Sequence, residues 1–394
     1  MNTFKNFLAA AGLAGVALAL SAASAAAQGP TCEDGPISLG SVSTVTWVVD
    51  FSDAPKAAAA VFEQLNARGG INGCEVEYEL ADDRGDPQVA SQAARDLIDN
   101  KGVVALVGGA SLLDCAVNAG TYARSGVLNV SGLGVDAACF NAPSIAPVNV
   151  GPFMLSTAML YYASEVLENE KLCAFFMIIG GTQEAYTQAV ENWETITGKE
   201  LHLMDLTLPA QGDLTPYLIR ARDAGCEALL TNQVEPGIVQ WVNTADAQGI
   251  TGINWLFLAP GYADAVSSAL ADTDQPIYVG TEWEPYTESS EANSDWIDVM
   301  NEAQLPRTAF SQGGYLAAQV IIDVISSIDG PVTREAVTTA LQGMDPIAYP
   351  IAGSPYVFGV ADAHNPMRAT KVMTLDSGAW EVLLTEWLVL PEVN

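Results

Sequence analysis

The stretch from Ala57 to Gly109 most constrains the fold, because it alternates helical and strand periodicities with the turns between them intact. Its first part carries apolar residues at three- and four-residue spacing and ends at Gly69 and Gly70, where a left-handed C-terminal cap costs little. A strand with alternating apolar residues follows, and Pro87 then opens a second helix, where its missing N–H leaves no bond unmade. A short buried run, residues 103–107, ends at two further glycines. The stretch therefore predicts a helix-strand-helix-strand unit of an α/β fold with parallel strands.

The same alternation continues on both sides of this stretch. A strand over residues 37–44 precedes it, and a helix and a strand ending at Ser131 follow it. The pattern loosens around residues 148–152, and a second run of alternating helices and strands then extends to about Leu258. A chain of 394 residues is also too long for a single core. We expect two doubly wound parallel-sheet lobes in series.

The N-terminus has the three parts of a secretory signal. Lys5 precedes an apolar run over residues 7–20, and small residues fill positions 21–27. A transmembrane anchor is the alternative, but it needs about 20 apolar residues. We therefore predict a signal peptide over residues 1–27, cleaved before Gln28, and a periplasmic protein. Cys32 lies too far from the apolar run to indicate a lipoprotein.

The charge balance narrows the class of partner. The sequence has 15 Lys and Arg against 47 Asp and Glu, with the acidic residues spread along the chain rather than gathered in a tail. Nucleic acids and anionic membranes are bound through clustered Lys and Arg, so neither is an expected partner. The acidic residues indicate a well-solvated surface.

Six cysteines in an exported chain indicate disulfides, although six cysteines allow 15 pairings in principle. Two of them precede neighbouring parallel strands of the first lobe, and two precede neighbouring strands of the second, so each pair would lie at one end of a sheet. Two cysteines remain, one on the helix after Gly109 and the other soon after the strand that ends at Ser131. The predicted disulfides are Cys32–Cys74, Cys173–Cys226 and Cys115–Cys139.

No catalytic or metal-binding motif emerges from the sequence. His202 and His364 lie in no zinc-binding motif, and no nucleophile elbow is present. Residues 108–111 could form a phosphate loop but lack its lysine, and the acidic turn at residues 82–86 misses the calcium-loop spacing. We therefore predict no enzyme activity, no cofactor and no metal.

The register of the stretch from Ala57 to Gly109 resembles the first lobe of type I periplasmic binding proteins of the branched-chain amino-acid (Leu/Ile/Val-binding) family. The resemblance covers essentially the whole mature chain. It implies three crossings between the lobes, so that residues 28–150 and 281–346 would form lobe 1, and residues 151–280 and 347–394 lobe 2. It also implies a small-molecule ligand held between the lobes, an ABC permease as partner, and a monomer.

The resemblance places the ligand contacts in loops at the strand ends of both lobes. The carboxylate that would pair with the ammonium of an amino acid falls at or next to Gly261, and most of the expected hydroxyl positions carry apolar residues. A buried ammonium without a partner costs several kcal/mol. We therefore expect an apolar or aromatic ligand, carboxylates included, rather than a branched-chain amino acid. The predicted ligand-binding residues are Trp47, Ser111, Leu112, Leu133, Gly134, Thr182, Gln183, Gln233, Tyr262 and Trp283.

Among these residues, the hydroxyl and amide side chains would supply polar contacts, and the aromatic and aliphatic ones would supply apolar contacts. Trp193, Trp241 and Trp255 lie inside regular elements and are expected in the core. Two other functions remain open at this stage. One is a periplasmic receptor that passes ligand status to a membrane signalling protein, and the other is a secreted hydrolase, which the missing nucleophile and base disfavour.

Overall fold

A computed structural model describes residues 29–33, 35–47, 49–179, 181–364 and 367–391. The predicted signal peptide lies outside these residues. Among the helices of the described ranges, none combines the length and the hydropathy needed to cross a membrane.

The helices and strands follow the predicted alternation, with most boundaries displaced by only a few residues. The strands are β1 (Pro30–Thr31), β2 (Ile37–Ser43), β3 (Val76–Asp82), β4 (Ala105–Val107), β5 (Asn129–Val130), β6 (Leu172–Phe175), β7 (Leu203–Asp205), β8 (Ala228–Thr231), β9 (Asn254–Phe257), β10 (Ile277–Gly280), β11 (Gly330–Pro331), β12 (Ala369–Thr370), β13 (Val372–Asp376), β14 (Ala379–Val382) and β15 (Leu388–Val389). The helices are α1 (Asp53–Ala67), α2 (Pro87–Arg95), α3 (Asp114–Ser125), α4 (Ala137–Phe140), α5 (Gly151–Glu165), α6 (Gln183–Thr197), α7 (Thr215–Ala224), α8 (Glu235–Ala247), α9 (Asp264–Ala269), α10 (Ser294–Ala303), α11 (Ala309–Ser326) and α12 (Arg334–Gly343).

The first sheet is parallel and has the order β3-β2-β4-β5. Alternate residues of β2 point to opposite faces, so that Leu39 packs with α1 and α11 while Val42 packs with α2 and α3. Both faces are therefore covered by helices, as a parallel sheet requires.

The second sheet has the order β14-β13-β10-β9-β8-β6-β7. Its strands from β6 to β10 run parallel, and β13 and β14 extend it as an antiparallel hairpin. One face is covered by α5 and α6 and the other by α7, α8 and α9. The expectation for Trp193, Trp241 and Trp255 is confirmed, because all three are buried in these layers.

Three chain segments connect the two sheets and lie side by side. They are residues 141–150 before α5, residues 281–293 after β10, and residues 344–371 between α12 and β13. Backbone hydrogen bonds join the second and third connections, from Thr281 N to Lys371 O at 2.9 Å and from Glu284 N to Ile351 O at 2.9 Å. We call these three segments the hinge. The strands of the two sheets fall inside the two predicted lobes, and the exact lobe boundaries stay a prediction.

The six cysteines form the three predicted disulfides, Cys32–Cys74, Cys115–Cys139 and Cys173–Cys226. The first pair precedes β2 and β3, and the third pair lies at the starts of β6 and β8. Chain topology selected these two pairings, because the partners lie at the starts of neighbouring strands, and Cys115 on α3 and Cys139 on α4 remained as the third pair.

Candidate functional site

The loops that follow the parallel strands of both sheets define the candidate site. In an open α/β sheet, small molecules bind at the carboxyl ends of the strands. The hinge joins the two sheets close to these ends, since residues 141–150 lead from the loop region after β5 and residues 281–293 continue directly from β10. We therefore treat the loops after β2, β4 and β5 as the first wall of the candidate site, and the loops after β6, β8 and β9 as its second wall.

The loops after β4 and β5 form a single ledge on the first wall. Gly132 N and Leu133 N both donate to Gly109 O, at 2.9 and 3.2 Å, and the Ser131 hydroxyl donates to the same carbonyl. Ala110 and Leu133 form a parallel bridge. The structure thus brings together four predicted contact residues, Ser111, Leu112, Leu133 and Gly134.

Within this ledge the Ser111 hydroxyl already has partners. It donates to the Asp83 carboxylate and accepts from Leu113 N and Asp114 N, each at 2.9 Å, so that it satisfies two N–H groups where α3 begins. Asp83 is fully buried and also accepts from the Thr44 hydroxyl at 3.0 Å. In this conformation Ser111 organises the loop, and its contact with a ligand stays a prediction.

We expect Ser111→Ala to lower the free energy of unfolding by about 1–3 kcal/mol, because it removes the acceptor of two N–H groups where α3 begins and leaves a buried carboxylate short of one donor. Urea denaturation measures this change. Ser326→Ala, at an exposed position in the last turn of α11, is the control and should change stability by no more than about 0.5 kcal/mol. Equal stabilities for the two variants would contradict the role of the Ser111 hydroxyl.

Beneath the ledge, Asp114 is buried at the start of α3 with Asn118, Tyr122 and Asn129 as hydrogen-bond donors. Burial raises the pKa of Asp114 to about 6, although the bonds from Tyr122 and Asn118 oppose the shift. The three donor side chains surround this carboxyl, and their hydrogen bonds hold the start of α3 in place.

The loop after β2 is fixed by the acidic turn at residues 82–86. Asp82 accepts from the backbone N–H groups of Val45 and Thr46, and despite partial burial these bonds and the Thr46 hydroxyl hold its pKa below the usual value. Trp47 comes next and lies directly on Gly85, where a Cβ atom would be 2.6 Å from the indole. The indole is nevertheless 50 % exposed. The acidic turn thus presents a large apolar side chain at the first wall.

The second wall carries two exposed apolar side chains, one on the loop after β6 and one on the loop after β8. Asn232 accepts from Met177 N at 2.8 Å and donates to Met177 O at 2.9 Å, which ties the loops after β6 and β8 together. These loops present Ile179, 59 % exposed, and Val234, 49 % exposed. Ile179 is not among the predicted contact residues, because the apolar run over residues 173–179 favours a strand that includes it, whereas β6 ends at Phe175.

Two of the three polar side chains predicted to contact a ligand on the second wall are hydrogen-bonded to backbone carbonyls of the protein itself. The Thr182 hydroxyl donates to Ile179 O at 2.9 Å, and the Gln233 side chain donates to Pro209 O at 2.9 Å. Gln183 is exposed beside a concavity of about 470 Å³. The residues that line it belong to α6 and the loop before it, so this concavity is not the space between the walls.

The two remaining predicted aromatic contacts are buried. Tyr262 packs on Tyr286 with ring centroids 4.4 Å apart, and its hydroxyl is 2.7 Å from that of Thr287. Trp283 is 1 % exposed and lies against Gly313 of α11. Neither ring faces solvent in this conformation, and their ligand contacts stay predictions.

A buried ion pair lies in the hinge behind these walls. Lys371 Nζ is 2.7 Å from Glu284 Oε2, and the two side chains are 10 % and 8 % exposed. The pair links the second and third connections. It is therefore a fixed element of the hinge.

A family model described as periplasmic binding protein matches residues 36–379. The chain belongs to the periplasmic binding protein family. The resemblance found in the sequence is confirmed, and the two hinged sheets are the type I fold of these solute-binding proteins.

Solved structures of periplasmic binding proteins share this fold at low sequence identity. The branched-chain amino acid transporter substrate binding protein LivJ from Streptococcus pneumoniae, in complex with isoleucine, has 16 % identity and a TM-score of 0.71, over 90 % of this chain and 99 % of that one. An ABC transporter substrate-binding protein from Sphaerobacter thermophilus has 16 % identity and a TM-score of 0.74, over 90 % and 98 %. A fatty acid ABC transporter substrate-binding protein from Thermomonospora curvata has 15 % identity and a TM-score of 0.69, over 90 % and 93 %. No curated protein matches the sequence.

Proposed function

We propose that this protein is the exported solute-binding component of an ABC importer, which closes its two lobes over a small organic molecule and delivers it to a membrane permease. The protein performs no chemistry in this proposal. The family assignment and the two facing walls at the strand ends support it. Among the named structural relatives, the ligand classes include a branched-chain amino acid and fatty acids, so the fold itself leaves the ligand open.

We further propose that the ligand is mainly apolar or aromatic. The observation that carries this proposal is the exposure of Trp47, Ile179 and Val234, which stand on both walls and are tied in place by hydrogen-bonded loops. Apolar surface at a cleft becomes favourable when a ligand covers it, at about 25 cal/mol for each Å² buried.

The position that would carry the carboxylate partner of an amino acid's ammonium group also supports an apolar or aromatic ligand. Gly261 is buried in the second lobe, and a Cβ atom there would lie 3.1 Å from Phe257 Cβ and 3.3 Å from side-chain atoms of Ile238 and Val279. A carboxylate side chain at this position would have to displace the core. An amino acid bound in the usual family manner would therefore find no counterion at this point.

A ligand panel tests this proposal. We expect phenylacetate, benzoate, hexanoate or neutral aromatic compounds to raise the melting temperature, whereas leucine, isoleucine and valine should not. A compound present at 100 times its Kd should stabilise the protein by about 2.7 kcal/mol. Tight calorimetric binding of leucine or valine would contradict the apolar preference and leave the family assignment intact. A panel without any binder would count against the binding function itself.

A matched pair of valines tests the location of the site. Val234→Ser should weaken binding of the identified ligand about 5-fold, because roughly 1 kcal/mol of apolar contact is lost. Val166→Ser is the control, since Val166 is 44 % exposed and lies in the same lobe beyond the end of α5, on the side where β6 begins. Isothermal titration calorimetry compares the two. Equal affinities would place the ligand elsewhere.

Delivery to a permease is tested in cells. Loss of the gene should abolish uptake of the identified ligand. Normal uptake together with a lost transcriptional response would instead support a receptor that signals through a membrane protein.

A further inference from the structure

A chain of hydrogen bonds joins the ledge of the first wall to the hinge. Asn149, in the first connection, accepts from Gly134 N at 2.8 Å and donates to Gly134 O at 3.1 Å. Its amide also donates to Glu282 Oε1, in the second connection, at 2.8 Å. The same carboxylate oxygen accepts from Gly151 N, at the start of α5, at 2.7 Å. One side-chain pair thus connects the loop after β5, two hinge segments and the first helix of the second lobe.

The bonds fix the orientation of the Asn149 amide. An asparagine amide has one oxygen acceptor and two N–H donors, and here all three are used. The Glu282 carboxylate can only accept from its neighbours while it is ionised, so the nitrogen of the amide must face it. The oxygen is then directed at Gly134 N. Reversal of the amide would set oxygen against carboxylate and leave the buried N–H of Gly134 without its acceptor.

We propose that Glu282 and Asn149 are positioning residues for ligand binding, in which Glu282 orients the Asn149 amide and Asn149 holds the Leu133–Gly134 part of the ledge in its binding geometry. This inference rests on the proposed function. Neither residue needs to touch the ligand.

Ionisation of Glu282 should make ligand affinity depend on pH. Burial raises the pKa of this carboxyl to about 7, although the hydrogen bonds from Gly151 and Asn149 oppose the shift. Hydrogen bonds to a carboxylate are stronger than those to a neutral carboxyl, so the ledge is held best when Glu282 is charged. Ligand affinity should therefore be highest above this pKa and should fall as the pH drops through about 7.

Other ionisable groups lie on the segments packed around Glu282. Glu284 and Lys371 pair with each other, Asp136 accepts from Ala138 N, and His364 lies against Ala142 O. Among the described residues, the hydrogen bonds of Glu282 go only to Asn149 and Gly151. Substitution of Glu282 itself therefore separates its contribution from theirs.

Amide hydrogen exchange of the unliganded protein provides the first test. In peptides that contain Gly134, exchange should be about 10-fold faster in Glu282→Ala and in Asn149→Ala than in the wild type. Glu282→Gln keeps an acceptor oxygen but loses the charge, so its exchange rate should lie between those of the wild type and Glu282→Ala. Glu381→Ala, at an exposed position on β14, is the control and should behave as the wild type. Unchanged exchange in both alanine variants would overturn the inference, whether or not a ligand has been found.

Ligand titration provides the second test and separates the two proposals. Wild-type affinity should rise about 10-fold from pH 6 to pH 8, Glu282→Gln should bind with little dependence on pH, and Glu282→Ala should bind about 10-fold more weakly at pH 8. A pH profile in Glu282→Gln equal to that of the wild type would overturn the inference while leaving the solute-binding function standing. Failure of the wild type to bind any compound would refute the proposed function, and the exchange experiment would then decide on the positioning role alone.

Discussion

Lys371→Met should lower the free energy of unfolding by about 3–5 kcal/mol, the largest effect that we expect from a single charge substitution in this chain. Lys371 Nζ lies 2.7 Å from Glu284 Oε2 with both side chains almost fully buried. The ammonium also stands 5.3 Å from the ring centroid of Trp387. Removal of the lysine leaves the Glu284 carboxylate without a counterion in a site that water hardly reaches. Urea denaturation at neutral pH measures the loss.

A double-mutant cycle identifies the cause. Lys371→Met combined with Glu284→Leu should recover most of the loss, because no buried charge then remains without a partner. The control is Lys101→Met, since Lys101 and Glu79 form an exposed pair at 3.3 Å and should contribute less than about 1 kcal/mol. A double variant as unstable as Lys371→Met alone would show that the lysine acts through packing rather than through charge.

Gly314→Ala should destabilise the protein by about 3 kcal/mol or more, near the upper end of the range for overpacked cores. Gly314 lies in α11 where this helix crosses α1, and a Cβ atom would be 1.8 Å from Ala54 O. The obstacle is backbone, which cannot rotate away as a side chain can. The two helices must separate, and they form one face of the first lobe. Thermal or urea unfolding checks this expectation.

Gly343→Ala is the matched control for Gly314→Ala. It lies at the end of α12, where a Cβ atom would meet no described atom within 4 Å. Because alanine favours a helix over glycine, this substitution should be neutral or stabilise by up to about 1 kcal/mol. If both variants lost stability equally, close packing of α11 on α1 would not be the reason.

The fold could be predicted from sequence because its signals are local. The apolar spacing in α1, the proline that opens α2 and the glycines after β4 each specify a piece of structure without reference to the rest of the chain. Two of the disulfides followed from the strand order, since Cys32 and Cys74, and likewise Cys173 and Cys226, lie at the starts of neighbouring strands, and the third joined the two cysteines that remained. The resemblance to a known family then supplied the three crossings, which no local pattern indicates.

The candidate site was less predictable, because the role of each side chain depends on partners far away in the sequence. The Ser111 hydroxyl donates a hydrogen bond to Asp83, and the Gln233 side chain donates one to Pro209 O. Trp283 is enclosed by a helix that begins only at Ala309. Sequence patterns identify residues that follow strands, but they do not show which of them are already bonded within the loops. Ile179 shows the converse, since an apolar residue that predicts a continuing strand is in fact exposed beyond its end.

The packing of α11 on α1 also bears on the order in which the molecule can form. The first sheet consists of β2 to β5, yet α11, which covers one of its faces together with α1, comes after the whole run from β6 to β10. Domains generally fold as units as the chain emerges, with the N-terminal one first. Here the N-terminal sheet has only α1 on that face while the strands from β6 to β10 are being made. Neither lobe is therefore completed before the other has begun, because α11 follows β6 to β10, and β13 and β14 of the second sheet follow α11.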